Sequence, residues 1–288
     1  MLKSVFDPKS IERDLKPRIQ GDIAVDDISR NFYSTDASVY RIVPSCVVYP
    51  KNKEDIIEVI KYANSEGIPV HARGAGSGLT GSSLGPGIIL AFRRYMNQII
   101  EINKDESYTI VQPGVICGNL NHELAKIGKI VYVDNSSENY ASIGGMIGTN
   151  SSGAHAAKYG YMADFVEELT VILSNGEEIK TYPIEIGSEE YNRKVSADTL
   201  EASLYKAVVE LIDNPEVQGL IVEKWPKVKM NVSGYNIRDM VTDKKVDLSK
   251  AFLGSEATLG IVVEAKLKYI DKPKDKTLVV MDFDSLAN

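Results

Sequence analysis

An α+β architecture is expected from three stretches of this chain. Cys46–Tyr49 is a β-rich run, Asn52 can cap a helix, and Ile68–Ala72 returns as a second strand; strand, helix and strand with a short return make a right-handed βαβ unit. Phe165–Leu173 and Glu177–Tyr182 flank Ser174-Asn175-Gly176, and Asn-Gly suits the type I′ turn of an antiparallel hairpin. Between these two units, four glycines fall within eight residues, Gly74 to Gly81.

Taken in order, residues 1–30 read as a polar helical lead-in, broken near Pro17. The helix after Asn52 carries Glu54 and Asp55 in its first turn, which suits the helix dipole, and Ile56, Ile57, Ile60 and Ala63 at helical spacing; Gly67 ends it. Met96–Ile102 and Tyr108–Val111 read as strands joined by a polar turn. Asn119–Ile127 reads as a short helix closed by Gly128, and Ile130–Val133 as a strand leading into the loop Asp134–Ser137. A helix starting near Ser142, with glycines at 144, 145, 148 and 153, would present free N–H groups to an anion. Glu189–Asn214 is expected to be largely helical, with Leu200, Leu204, Ala207, Val208, Leu211 and Ile212 facing the core. Residues 241–250 read as a polar insertion, Thr277–Met281 as a new strand and Ser285–Asn288 as the start of a helix.

At 288 residues the chain can bury a sizeable core, and 43% hydrophobic with 25% charged residues is ordinary for a globular protein. The net charge of −7 without a block of like charge argues against nucleic acid as a partner. Cys46 and Cys117 are far apart and lie in no Cys/His cluster, so reduced thiols, a cytoplasmic setting and no metal site are expected. The start has no apolar leader and no run reaches membrane-span length; attachment to a membrane through a partner stays open.

The glycine stretch Arg73-Gly74-Ala75-Gly76-Ser77-Gly78-Leu79-Thr80-Gly81 leaves a strand. Glycine permits positive φ and close approach of a ligand, and successive N–H groups can form a nest for an anion. A P-loop is excluded because Ser82 stands where its lysine must be. Gly76–Gly81 matches GxGxxG, but that fingerprint must open a helix. Only Ser82–Gly87, which includes Gly85-Pro86-Gly87, separates it from the strand-like Ile88–Phe92. What is left is a phosphate-cradling loop between two strands, or a plain turn.

RGAGSGLTG (73–81), VQPGV (111–115), SIGGMIGTNSSG (142–153), KYG (158–160) and GSEATLGIV (254–262) follow one another in that order. This series resembles the flavin-binding half of the vanillyl-alcohol oxidase and p-cresol methylhydroxylase superfamily. Within it, the series is most similar to the branch of FAD-linked D-lactate dehydrogenases, glycolate oxidase FAD subunits and D-2-hydroxyglutarate dehydrogenases. The segment Lys229–Asn236 and the "YSTD" run Tyr33–Asp36 also resemble segments of that branch.

The resemblance implies an α+β, two-subdomain FAD-binding domain of the p-cresol methylhydroxylase type, with FAD in the cleft between subdomains. The implied division is a lead-in over 1–30, subdomains over 31–103 and 104–272, and over 273–288 the start of a missing cap or substrate domain. It implies FAD contact by Arg73, Gly74, Ala75, Gly76, Ser77, Gly78, Thr80 and Gly81, then by Ser137, Ser142, Ile143, Gly144 and Gly145. Asn150, Ser152 and Gly153 would lie near the flavin, Ile261 would hold the adenine end through its backbone, and Glu256 would orient the loop around it. Ser77 replaces the histidine through which some members bond FAD, so the cofactor should be non-covalent.

The implied reaction is oxidation of a D-2-hydroxy acid, with an iron–sulfur or electron-transfer protein or a quinone taking the electrons. Nothing in the chain resembles the family's HxxGxGNxH segment. The catalytic residue is therefore unassigned, and His155 is the candidate for flavin contact or acid–base work; His71 reads as a packed strand residue and His122 as a solvated helix residue. Two other readings remain open, an FAD-relay subunit of a molybdenum hydroxylase and a non-catalytic nucleotide-binding module. Ala257 stands where the family usually has glycine, and Tyr132–Ser137 lacks the prolines of the family's corresponding loop.

Overall fold

The computed structural model describes residues 5–228, 231–275, 277–283 and 285. The chain opens with α1 (Pro8–Leu15), capped by Asp7, which accepts from the N–H groups of Lys9 and Ser10. There follow β1 (Asp22–Ala24), α2 (Asp27–Phe32) and β2 (Cys46–Tyr49). The lead-in thus breaks near Pro17 as expected, but it also supplies a strand.

Asn52 caps α3 (Lys53–Glu66), its Oδ1 accepting from Asp55 N at 2.9 Å, and Gly67 ends the helix at φ 64°. Ile56, Val59, Ile60, Tyr62 and Ala63 form its buried face. Then come β3 (Val70–Arg73) and β4 (Ile88–Ala91). The sheet order is β1-β2-β4-β3, with β4 parallel to both β2 and β3 and β1 antiparallel to β2. The glycine-bearing segment is therefore a crossover between two adjacent parallel strands. It leaves the carboxyl end of β3 and must travel back beside Pro69, whose carbonyl accepts from Ile88 N at 2.9 Å. That return explains a long connection where an antiparallel hairpin would need only a short one.

The second sheet begins with β5 (Ile99–Asn103) and β6 (Tyr108–Val111). After α4 (Cys117–Ala125) and the short β7 (Lys129–Ile130), the small helices α5 (Ile143–Gly148), α6 (Ala156–Tyr159) and α7 (Met162–Phe165) lead to β8 (Val166–Ile172) and β9 (Glu178–Thr181). The expected strand over 130–133 is shorter than its apolar run, because Val131, Tyr132 and Val133 are buried but only Lys129 and Ile130 find a partner strand. The β8–β9 turn is not type I′. Gly176 has φ 85° but Asn175 is not left-handed. Gly176 N donates to Leu173 O and Leu173 N to Glu177 O, the three-residue loop in which glycine takes the αL position.

Beyond β10 (Ile184–Glu185), α8 (Glu189–Val195) and α9 (Leu200–Asp213) confirm the helical 189–214 region, although Ala207 and Leu211 are exposed where core residues were expected. A further helix, α10 (Pro215–Lys224), was not anticipated. Residues 241–250 are not a polar surface insertion. They contain β11 (Val241–Thr242), β12 (Lys245–Val246) and the start of α11 (Ser249–Phe252), with Val246, Asp247, Leu248 and Ser249 buried. Then β13 (Ile261–Lys268) enters the centre of the second sheet, order β5-β6-β13-β8-β9 with all neighbours antiparallel, and β14 (Ile270–Asp271) pairs with β7.

No strand forms over 277–281, where Leu278, Val279, Val280 and Met281 are exposed and no strand among the described residues offers a ladder. Of the helix expected over Ser285–Asn288, residues 286–288 lie outside the described residues, as do Lys229 and Met230. Two main cores result. One packs α1 and α3 on the first sheet and takes in Ile172, Ile261 and Val263 from the second, so α3 bridges the sheets. The other lies under the second sheet. Among the described residues no helix is long and apolar enough to cross a membrane.

Candidate functional site

A cleft of about 1000 Å³, its open mouth included, runs between the carboxyl end of the first sheet and the helices of the second. One wall is Arg73–Gly78 with Ser82 and Ser83. The opposite wall is Ser142, Gly144, Gly145, Met146 and Gly148 of α5 with Thr149 and Ser151, and the third side is Ser255–Ala257 with Gly260 and Val262.

The glycine wall has an unusual hydrogen-bond balance. Its carbonyls serve the protein, Gly76 O accepting from Ala37 N and Gly81 O from Leu84 N. Its N–H groups from Ala75 through Ser83 donate to no described residue. Backbone donors are rarely left without a partner, so these are free for solvent or a ligand. Gly76 and Gly81 adopt φ 70° and 79°. Gly74 lies so close to α5 that a Cβ would fall 1.8 Å from Ser142 Oγ. At Gly78 a Cβ would meet only Ser82 Oγ, at 4.0 Å, so the protein itself does not demand glycine there.

The opposite wall corrects an expectation. Ser142 caps α5, but Ile143 N donates to Val115 O and Gly144 N to Pro113 O, each at 2.8 Å, and Gly145 N reaches Ser142 Oγ at 3.4 Å. The helix does not offer free N–H groups. Its glycines give clearance instead. Gly144 fits against Pro113, where a Cβ would lie 2.6 Å from the ring, whereas a Cβ on Gly145 would meet nothing but Ser142 Oγ at 3.2 Å.

Arg73 is buried. Its guanidinium donates to the carbonyls of Thr35 (2.8 Å) and Tyr33 (3.3 Å) and lies over the Tyr33 ring, while burial pushes its pKa down. It therefore ties the 33–36 segment to the glycine loop. Burial pushes the Asp36 carboxyl up, but hydrogen bonds from Ser38 and Ser83 and the charge of Arg73 outweigh this and hold it low. Thr80 donates to Glu256 Oε2 at 3.2 Å, joining the two sides of the cleft. Glu256 and Ala257 both sit in the left-handed region, at φ 50° and 63°.

Of the residues expected to contact the cofactor, Arg73, Gly74, Ala75, Gly76, Ser77, Gly78, Ser137, Ser142, Gly144, Gly145 and Glu256 line the cleft. Thr80 and Gly81 continue the loop beyond the lining, Gly81 against Tyr40. Ile143 and Ile261 are core residues, with Ile261 paired to Ile172. Asn150 is buried at φ 45°, and its Oδ1 accepts from Ala163 N at 2.9 Å, which fixes the α5–α7 corner. Ser152 and Gly153 follow, and Gly153 abuts the backbone of Val133 and Asp134.

Phe92, Pro113, Met146, Gly148, Thr149, Ser151 and Phe252 also line the cleft and were not anticipated. Gly148 and Thr149 are four residues beyond Gly144 and Gly145, a helical repeat that could have found them. Of the histidines, His122 is exposed and His155 bonds to Asp134. His71 Nε2 is buried without a partner, Gly85 leaving room for its ring, and burial lowers its pKa. Cys46 and Cys117 are free and buried, both thiols pushed up to about 12 by burial.

Residues 44–182 match the family described as FAD binding domain. The D-2-hydroxyglutarate dehydrogenase of Escherichia coli (strain K12) is 33% identical over 270 residues, which are 92% of this chain and 26% of that protein. Glycolate oxidase subunit GlcD of Bacillus subtilis (strain 168) is 29% identical over 260 residues, 89% of this chain and 44% of that protein. This chain therefore spans between a quarter and a half of these relatives. Among solved structures, alkyldihydroxyacetonephosphate synthase superposes with a TM-score of 0.66 at 19% identity, over 96% of this chain and 42% of that one. The 6-hydroxy-D-nicotine oxidase of Arthrobacter nicotinovorans gives 0.58 at 20% identity, over 88% and 43%. The fold is thus the two-part α+β arrangement expected from the sequence.

Proposed function

We propose, from the match of residues 44–182 to the family described as FAD binding domain, that this chain is the FAD-holding part of an oxidoreductase acting on a D-2-hydroxy acid. Hydride passes from the C2 carbon of the acid to non-covalently bound FAD. The observation that carries this reading is the run of unpartnered N–H groups from Ala75 through Ser83 on the wall of the cleft. Such a run is an electropositive lip suited to a diphosphate, and no lysine is needed to complete it.

The residues present fit the cofactor. The cleft is large enough for a dinucleotide, and the missing side chains of Gly78 and Gly145 leave space that no described residue occupies. When bound, FAD supplies the hydride acceptor, and the chain supplies binding and orientation. Gly74–Gly78, with Thr80 and Gly81, hold the diphosphate through their backbone. Ser142, Ile143, Gly144 and Gly145 shape the facing wall, and Ser137, Asn150, Ser152 and Gly153 frame the ring end. Glu256 braces Thr80, and the backbone of Ile261 closes the adenine end.

The hydroxy acids in the names of the relatives support the substrate class. Electrons then leave to an iron–sulfur or electron-transfer protein or to a quinone. The test is titration with FAD, followed by anaerobic addition of D-lactate, glycolate and D-2-hydroxyglutarate to the full-length protein while the flavin absorbance is followed. Bleaching by at least one acid is expected. Failure to retain FAD, or bleaching by none of the three, would overturn the proposal. Acid precipitation should release all flavin, since Ser77 offers no imidazole for a covalent bond; yellow colour in the pellet would contradict this.

A further inference from the structure

The glycine wall offers a run of free N–H donors, yet the cleft is poor in positive charge. Among the described residues that line it, only Arg73 and Glu256 are charged, and their signs are opposite. The two act at different places along the glycine loop. The Arg73 guanidinium lies under Gly76, where a Cβ would fall 2.7 Å from Nη2, and it donates to the neutral carbonyls of Tyr33 and Thr35. The Glu256 carboxylate meets the loop further on, accepting from Thr80 Oγ1 at 3.2 Å. A second carboxylate backs the return of the loop, Asp36 Oδ2 accepting from Ser83 Oγ at 2.9 Å. The free N–H groups from Ala75 through Ser83 are thus bounded by a cation beneath Gly76 and by acids at Thr80 and Ser83.

The fold keeps Glu256 in this place. Its N–H donates to Gly148 O at 2.8 Å, and its φ of 50° is a conformation that a glutamate adopts at a cost. The turn is pinned on its other side, where Thr258 Oγ1 donates to Ser255 O at 2.6 Å and meets the Tyr235 hydroxyl at 2.8 Å. Among the described residues no cation hydrogen-bonds the carboxylate. The negative charge therefore stays beside the lip, uncompensated, when an anion arrives.

The N–H dipoles attract any phosphate, but fixed like charges repel in proportion to the charge that the ligand brings. A terminal phosphate carries roughly 1.5 to 2 negative charges near pH 7. Each phosphate of a bridging diphosphate, esterified on its far side, keeps a single charge. We propose that Glu256 and Asp36 form a charge filter on the glycine loop, one that admits the bridging diphosphate of a dinucleotide and rejects nucleotides ending in a free di- or triphosphate. This rests on the FAD reading above. The filter works by repulsion of the wrong ligand and not by added attraction for the right one, so its removal strengthens the wrong binding.

The experiment is calorimetric titration of the full-length protein, stripped of cofactor, with FAD, ADP and ATP at neutral pH, low salt and no divalent cation. It compares the native protein with Glu256→Gln, Glu256→Asp, Asp36→Asn and, as control, Glu210→Gln on an exposed position of α9. The native protein should bind ATP about tenfold more weakly than ADP, a difference of about 1.4 kcal/mol. Glu256→Gln should close that gap, Asp36→Asn should narrow it, and Glu210→Gln should leave it alone. Glu256→Asp keeps the charge on a shorter arm and should keep the gap, even where the bond to Thr80 is lost. Added salt should shrink the gap in the native protein and have little left to shrink in Glu256→Gln. ATP bound by the native protein as tightly as ADP, or Glu256→Asp behaving like Glu256→Gln, would overturn the proposal. Should the native protein bind FAD alone, a gain of ADP or ATP binding in Glu256→Gln supports the filter and no gain sinks it. If Asp36→Asn does not fold, the two Glu256 variants decide. A native protein that binds none of the three would instead sink the FAD reading itself.

Discussion

On the first-sheet wall of the cleft, the N–H groups from Ala75 through Ser83 have no partner among the described residues; on the facing wall, the first N–H groups of α5 are taken by Val115, Pro113 and Ser142. Both walls are glycine-rich, and from sequence alone both read as anion cradles. The structure separates them. In the loop, glycine permits positive φ and leaves donors exposed, whereas in α5 it removes side chains from the cavity. A helix end can be spent on internal carbonyls, and only the hydrogen-bond accounting tells which wall can hold a charge.

The strongest way to break this contrast is Gly76→Val. The site has φ 70°, and a Cβ there would lie 2.7 Å from the Arg73 guanidinium. Strain of roughly 1–3 kcal/mol adds to a displaced Arg73, which anchors Tyr33 and Thr35. Loss of FAD affinity by about 100-fold or more is expected by fluorescence titration, the equivalent of about 3 kcal/mol. His122→Ala, on an exposed helix position, should stay within about 0.5 kcal/mol of the native protein. Equal losses in both would remove the distinction between wall and surface.

Gly145→Ala should sharpen it, because its two effects have opposite signs. Alanine in a helix interior is favoured over glycine by roughly 0.5–1 kcal/mol, and the only near contact, Ser142 Oγ at 3.2 Å, needs a small shift. The cofactor-free protein should therefore melt higher. The new methyl group projects into the cleft, so FAD should bind about tenfold more weakly, on the order of 1.4 kcal/mol. A variant destabilised without FAD, or one that binds FAD as well as the native protein, would show that clearance is not what this glycine provides.

His71 tests the root of the loop. Its Nε2 is buried without a partner at the strand that feeds the glycine wall, and burial lowers its pKa. A base with a depressed folded pKa contributes stability that is intact above its unfolded value, near 6.5, and is lost as pH falls through the folded one. Thermal unfolding of the native protein should accordingly drop in temperature below about pH 6.5. His71→Phe, which keeps the ring and removes the titration, should flatten that part of the curve. An unchanged acid limb in the variant would assign the loss to other groups.

Much of this was legible in the sequence, and what was not has identifiable causes. The cap and stop of α3, the break near Pro17 and the cleft-lining loop followed from local chemistry at Asn52, Gly67, Pro17 and Gly74–Gly78. The strand expected at 277–281 failed because β propensity needs a neighbour to pair with. The 241–250 segment looked polar but is buried through Val246 and Leu248, which tertiary packing selects and hydropathy does not. The Asp134–His155 meeting joins segments 21 residues apart through a left-handed aspartate, which no periodicity reports. The Asn-Gly turn was misjudged because loop length, set by the register of β8 on β9, overrode the dipeptide preference.

The smallest expected effect lies on the third side of the cleft, where neither N–H supply nor clearance explains the backbone. Glu256 and Ala257 are consecutive left-handed residues without being glycine. Glu256 has evident anchors: its N–H donates to Gly148 O at 2.8 Å and its carboxylate accepts from Thr80. Ala257 gains nothing visible from its methyl group except packing against the first-sheet core. The left-handed conformation costs a non-glycine residue roughly 1–2 kcal/mol, while glycine gives back about 0.4–1 kcal/mol through a freer unfolded chain. Ala257→Gly should therefore raise stability by no more than about 1 kcal/mol and leave FAD affinity unchanged. Chemical denaturation of the cofactor-free protein with an unchanged slope would read this directly. A loss of stability would mean that the methyl contact outweighs the strain; a gain together with weaker FAD binding would mean that the strained turn is held for the ligand, placing this third side in the same class as the glycine wall.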